Sequence, residues 1–190
     1  MMRQASNVPP GPAGSTTASR ASEGRHLVTA FAATTTVSIV SLALVHPPCP
    51  SGRLPVEHQP VVGVAVGMFL VVLITMHRPA FGTAIANLRR CRTWLLAMLA
   101  CNEEIVFRRL VVGELLPWGM AAAISGATIL FAVAHREHSG VHLVTGAVFC
   151  TTYLATGGIL CVAVAHWVYN ALTDARMVLT ERQRAQGSLA

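Results

Sequence analysis

The chain has no lysine and little charge of any kind: 12% of its 190 residues are charged, against about 25% in an average soluble domain. With 53% of residues apolar and a mean hydropathy of +0.56, that scarcity argues against an ordinary soluble domain and for a membrane protein. CxxC pairs and regularly spaced cysteines are also missing. The five cysteines (Cys49, Cys91, Cys101, Cys150, Cys161) therefore support neither a disulfide framework nor a thiolate zinc site. Four of them stand in or beside apolar stretches, where a thiol behaves as a small hydrophobe. There is no HExxH pair, and the two halves of the chain show no internal repeat of the kind that builds many transporters.

What is present is a polar, Pro/Gly/Ser/Ala-rich stretch over residues 1–26, followed by apolar segments at about 27–45, 60–76, 93–116, 119–135, 141–157 and 158–175. The first stretch cannot bury a core and reads as a disordered tail. The first apolar run lacks a small-residue cleavage site, so a cleaved signal peptide is not expected. A helix needs about 20 apolar residues to cross the hydrocarbon core. The expected fold is thus all-α, a polytopic membrane helix bundle of about six transmembrane helices over 27–176, with a C-terminal tail over 177–190.

All fourteen basic residues are arginine, and their placement sets an orientation. With the N-terminus in the cytoplasm, eleven of them fall on the cytoplasmic side: Arg3, Arg20, Arg25, Arg78, Arg89, Arg90, Arg92, Arg136, Arg176, Arg182 and Arg184. Only Arg53 falls opposite, while Arg108 and Arg109 lie within a span. This is the positive-inside pattern. It accounts for the net charge of +6 without a nucleic-acid partner. The expected location is the cell membrane, multi-pass.

Residues 101–109, "CNEEIVFRR", put four charges inside a span. Uncompensated, each costs about 2.5–3.5 kcal/mol near the bilayer centre, roughly 10–14 kcal/mol together, so partners and a purpose are expected. At 100° per residue Glu104 and Arg108 lie about 40° apart on a helix, in the favourable order for an ion pair. Glu103 points about 100° away from Glu104 and is left without a local partner, a setting suited to a general base. The fourth segment ends "FAVAH", with Phe131 one turn before His135 and able to shield its imidazole. The sixth, "TGGILCVAVAHWVYNAL", places His166 and Asn170 on one face. His138 and His142 continue the face of His135; they read as markers of the membrane boundary, or else as metal ligands.

"EEIVFRR", "FAVAH" and "ATGGILCVAVAHWVYNA", each on its own hydrophobic helix and in this order, resemble the CPBP family of intramembrane proteases (CAAX proteases and bacteriocin-processing enzymes, the Abi family) over about residues 90–175. The resemblance implies a helical membrane bundle that hydrolyses peptide bonds in an intramembrane cavity, with a peptide or membrane protein as substrate and the lipid bilayer as surroundings. It implies that Glu103 activates water with help from His135. His166 and Asn170 would hydrogen-bond the oxyanion, and Glu104 and Arg108 would form an orienting ion pair. No cofactor is expected. The alternatives are a metal-dependent version, with Glu103, His135 and His166 as a zinc-like ligand set, an inactive scaffold, chaperone or bacteriocin-immunity protein, and a small transporter or channel. One departure stands out: the family usually has Arg-Gly in the first motif, whereas Arg108 is followed by Arg109. An arginine there must snorkel or find its own partner.

Overall fold

The computed structural model describes residues 29, 31–40, 54–75, 91–136 and 139–187. Among them all regular structure is helical, and every apolar segment read from the sequence contains a described helix: α1 (Phe31–Val40), α2 (Gln59–Thr75), α3 (Cys91–Glu104), a π-helical stretch (Ile105–Val111) continued by α4 (Val112–Leu115), α5 (Met120–Ala134), α6 (Ser139–Thr156) and α7 (Ile159–Gly187). The last helix runs through most of the segment expected as a C-terminal tail. The tail expected over 1–26, the loops around Arg78, Arg89 and Arg90, and His138 lie outside the described residues.

The breaks have local causes. Leu116–Trp118 is a 3-10 turn with Pro117 inside it, and Gly119 at φ +105° redirects the chain into α5. Gly157 at φ +68° makes the corner between α6 and α7. The described helices pack as a bundle, with α7 against both α2 and α3, α5 against α6, and the π-helical stretch between α3 and α5. Two small residues allow the closest approach. A Cβ on Gly67 would stand 2.6 Å from the Ala165 carbonyl oxygen, and one on Gly63 would run into the Cys161 carbonyl. This Gly-x-x-x-Gly spacing on α2 lets its backbone lie on α7 just before His166.

One described helix, Val56–Ile74, is long and apolar enough to cross a membrane; α1, α5 and residues Ile159–Ala175 are apolar but shorter. The bundle nevertheless carries large apolar side chains on its outside and a few ionisable ones within. Phe69, Val72, Trp94, Met98, Trp118, Ile129, Leu130, Val133 and Leu143 are exposed, while Glu104, Arg108, Thr145 and His166 are buried. Ionisable groups in membrane bundles face inward in this way. Below the buried polar group lies a core of Leu70, Phe149, Ala165, Tyr169 and Leu172; beside it lies a second of Val112, Ala123, Ala127, Tyr153 and Val162.

Candidate active site

Three helices deliver the chemistry. α3 carries Glu103 and Glu104 at its C-terminal end, α5 ends at His135, and α7 brings His166 across from 62 residues away in sequence. The ordinary α-helical spacing expected through the first motif is corrected: from Ile105 to Val111 the chain is π-helical, and Arg108 lies within that stretch. Such wide turns are rare and occur mainly at functional sites.

Arg108 and Glu104 are both fully buried, with Arg108 Nε 2.9 Å from Glu104 Oε2. The contact is an ion pair without the alignment of a hydrogen bond, and neither Nη1 nor Nη2 of Arg108 has a hydrogen-bond partner. Instead the guanidinium carbon sits 4.9 Å from the Phe131 ring centroid, 5.6 Å from Phe149 and 5.9 Å from Phe107. Three ring faces thus stabilise a cation that water cannot reach, each by about 0.5–2 kcal/mol. The expected Glu104–Arg108 pair is present; the aromatic cage around it was not legible in any local spacing.

The other oxygen of Glu104, Oε1, accepts a hydrogen bond of 2.8 Å from His166 Nδ1. A carboxylate can only accept, so Nδ1 bears the proton. The same logic applies to His135, whose Nδ1 lies 2.9 Å from the Phe131 carbonyl oxygen and donates to it. In its neutral form each imidazole then presents Nε2 as a lone pair. Both lone pairs face one atom: Glu103 Oε2 is 3.6 Å from His135 Nε2 and 3.7 Å from His166 Nε2. Glu103, expected to lack a partner on its own helix, has two imidazole neighbours from other helices.

Three hydrogen-bond acceptors facing one another repel unless a proton donor or a cation sits among them. The separations exceed a direct hydrogen bond and are of the length at which one water can touch both partners. Water, with two hydrogens to give, satisfies two of the three, Glu103 and one imidazole. A divalent cation would satisfy the same chemistry, and anchoring of each Nδ1 by a carboxylate or carbonyl is also how metal-bound histidines are held. Among the described residues, however, no group of three His, Cys, Asp or Glu side chains is arranged to hold a metal ion. The side chain of Glu103 is 12% exposed and that of His135 27%, against 5% for His166, so the group opens on the Glu103–His135 side.

Asn170 lies one turn after His166 on α7 and is half-buried; it takes no part in the contacts among Glu103, Glu104, Arg108, His135 and His166. Arg109, in place of the usual glycine, is half-buried in the π-helical stretch. The ring of His142, read from the sequence as a boundary marker or metal ligand, packs 4.4 Å from that of His135. A further support comes from outside the motifs. Asn102, next to Glu103, donates through Nδ2 to the Thr35 hydroxyl at 2.6 Å, and its carbonyl accepts from the Ser38 hydroxyl at 3.0 Å. The asparagine in "CNEE" is the only sequence signal of that link to α1.

Residues 84–172 match the family model described as type II CAAX prenyl endopeptidase Rce1-like. The matched segment contains all six candidate residues, and it bears out the family resemblance read from the three motifs. No curated protein and no solved structure matches the chain.

Proposed function

With residues 84–172 Rce1-like, we propose that the chain is a CAAX-type intramembrane endopeptidase that cleaves peptide bonds with a glutamate-activated water. The observation that carries this reading is the convergence of His135 Nε2 and His166 Nε2 on Glu103 Oε2, at 3.6 and 3.7 Å.

In the proposed reaction a water held by Glu103 and His135 attacks the substrate carbonyl carbon. Its proton passes to the Glu103–His135 pair as the C–O bond forms and the carbonyl π electrons move to oxygen. His166 donates to that oxyanion as an imidazolium, having taken a proton at Nε2 from solvent before substrate binds and keeping it through the cycle, since Nδ1–H is already committed to Glu104. The Glu104 carboxylate stabilises the resulting imidazolium, as the buried acid does in serine-protease triads. Arg108 holds the Glu104 carboxylate in place through their ion pair. Asn170 supplies the second donor, turning its carboxamide toward the oxyanion once substrate is bound. When the intermediate collapses, the C–N bond breaks and the leaving amine takes its proton from the Glu103–His135 pair. In this reading His166 is an electrostatic donor supported by the Glu104 carboxylate.

The bundle is proposed to span the membrane several times with its N-terminus in the cytoplasm. Support comes from the arginine asymmetry and from the apolar exterior around a charged interior. The acceptor convergence also favours one other reading, the same protease working with a divalent metal. Both are tested by purified protein in detergent with a fluorogenic farnesylated CAAX peptide. The water mechanism predicts cleavage that survives 1,10-phenanthroline and is lost, by about 100-fold or more, in Glu103→Gln. Loss on chelation, restored by zinc alone, selects the metal reading. Cleavage equal in wild type and Glu103→Gln overturns both.

A further inference from the structure

His135 occupies an insecure position for a base. It is the residue that ends α5, with φ −109° and ψ 61°, so no following helical turn supports it. One hydrogen bond, Nδ1–H to the Phe131 carbonyl, defines its edge, and its side chain is the most exposed of the ionisable group. A single hydrogen bond leaves the ring free to swing about that axis unless its faces are walled.

Two rings form the walls. Phe131 lies 4.5 Å from His135, tilted by 41°, and His142 lies 4.4 Å away, tilted by 31°. Phe131 and His142 are themselves 5.7 Å apart at 72°. Those three separations place Phe131 and His142 roughly at a right angle as seen from His135, two adjoining walls of a corner rather than a sandwich. Phe131 belongs to the second motif; His142, on the next helix, belongs to none.

We propose that His142 is a positioning residue: its ring closes the corner that holds His135 with Nδ1 on the Phe131 carbonyl and Nε2 toward Glu103. The proposal rests on the proposed protease reading for its kinetic consequence, but not for its structural one. A ring that is flat and also tolerates water suits the open side of the site, where an aliphatic side chain would leave a gap. Misplacing a reacting group by about 1 Å can cost on the order of 100-fold in rate, so a loosened base lowers turnover while substrate binding is kept.

The test compares wild type, His142→Phe, His142→Leu and His142→Ala, each checked for monodisperse, heat-stable protein in detergent. The first readout is 15N NMR of histidine-labelled protein, with His135 assigned by its loss in His135→Gln. Wild type and His142→Phe are expected to show His135 in the Nδ1–H form; His142→Ala and His142→Leu are expected to show a mixture of both tautomers. The second readout, cleavage of the farnesylated CAAX peptide, is expected to show kcat lowered about 10–100-fold in the Ala and Leu variants with KM within twofold, and largely restored in Phe. An unchanged His135 tautomer in His142→Ala overturns the proposal, as does a Phe variant as defective as Ala in either readout. Should Ala fail to fold, Leu and Phe decide alone. If no variant, wild type included, cleaves the peptide, the protease reading fails while the NMR comparison still decides the role of His142.

Discussion

Removing the positive charge of Arg108 should expose how much the buried pair matters. At 2.9 Å and an effective dielectric constant of about 20, the attraction between Arg108 and Glu104 is about 6 kcal/mol, most of it offset by the cost of desolvating both groups. What a measurement reads is therefore the penalty of breaking the pair, typically about 3–5 kcal/mol, because Glu104 would stay buried with only His166 as partner. For a chain of this length about 1 kcal/mol moves the melting temperature by about 2–4 °C. Arg108→Met should therefore melt about 6–20 °C below wild type, followed through the fluorescence of Trp94, Trp118 and Trp167 in detergent. The double variant Glu104→Gln/Arg108→Met should recover at least half of that loss, because the glutamine carbonyl can still accept from His166 and no charge is left unpaired. Arg108→Lys should recover less than the double variant, since a compact ammonium cannot lie flat against the rings of Phe107, Phe131 and Phe149. A single variant within about 2 °C of wild type, or a double variant no better than the single, would refute the reasoning.

Other outcomes follow from separate contacts. A double-mutant cycle on Thr35→Val and Asn102→Val should give a coupling energy of about 0.6–1.7 kcal/mol, measured by chemical denaturation in micelles; a value near zero would mean that α1 does not help to hold the segment beside Glu103. Gly67→Leu must push α2 away from the Ala165 carbonyl and should cost about 1–3 kcal/mol by the same measurement, whereas Gly140→Leu, where an added Cβ meets nothing, should be tolerated. Glu104→Gln should lower kcat by about 10–1000-fold with little change in KM, because in the proposed reaction His166 loses the counter-charge that lets it donate to the oxyanion; equal kcat in the two proteins would remove Glu104 from the oxyanion machinery.

Local features of the fold were legible in the sequence because apolar runs and their breakers are local. Each of the six segments contains a described helix, and Pro117, Gly119 and Gly157 mark corners for reasons of backbone geometry. The Glu104–Arg108 pair was legible too, since four residues along one helix is a short-range relation. What crosses between helices was not. No spacing within α3 or α7 tells that His166 donates to Glu104, and that single bond decides which nitrogen of His166 faces Glu103. The π-helical stretch carries no compositional mark, although Gly63 and Gly67 on α2 do carry the spacing of a close helix contact. His142 read as a boundary residue because it stands just past a helix break; only the way α6 folds back on α5 brings it against His135. Of the six expected spans, one described helix has the length and apolarity to cross by itself, because the helices that carry the site are shorter or interrupted by the polar residues that build it.

The central claim, that Glu103 activates water to cut peptide bonds within the membrane, is most directly tested by mapping new protein N- and C-termini in membranes of cells expressing wild type or Glu103→Ala at matched levels. The account predicts a set of termini present with wild type and missing with Glu103→Ala. The same termini in both membranes would contradict it.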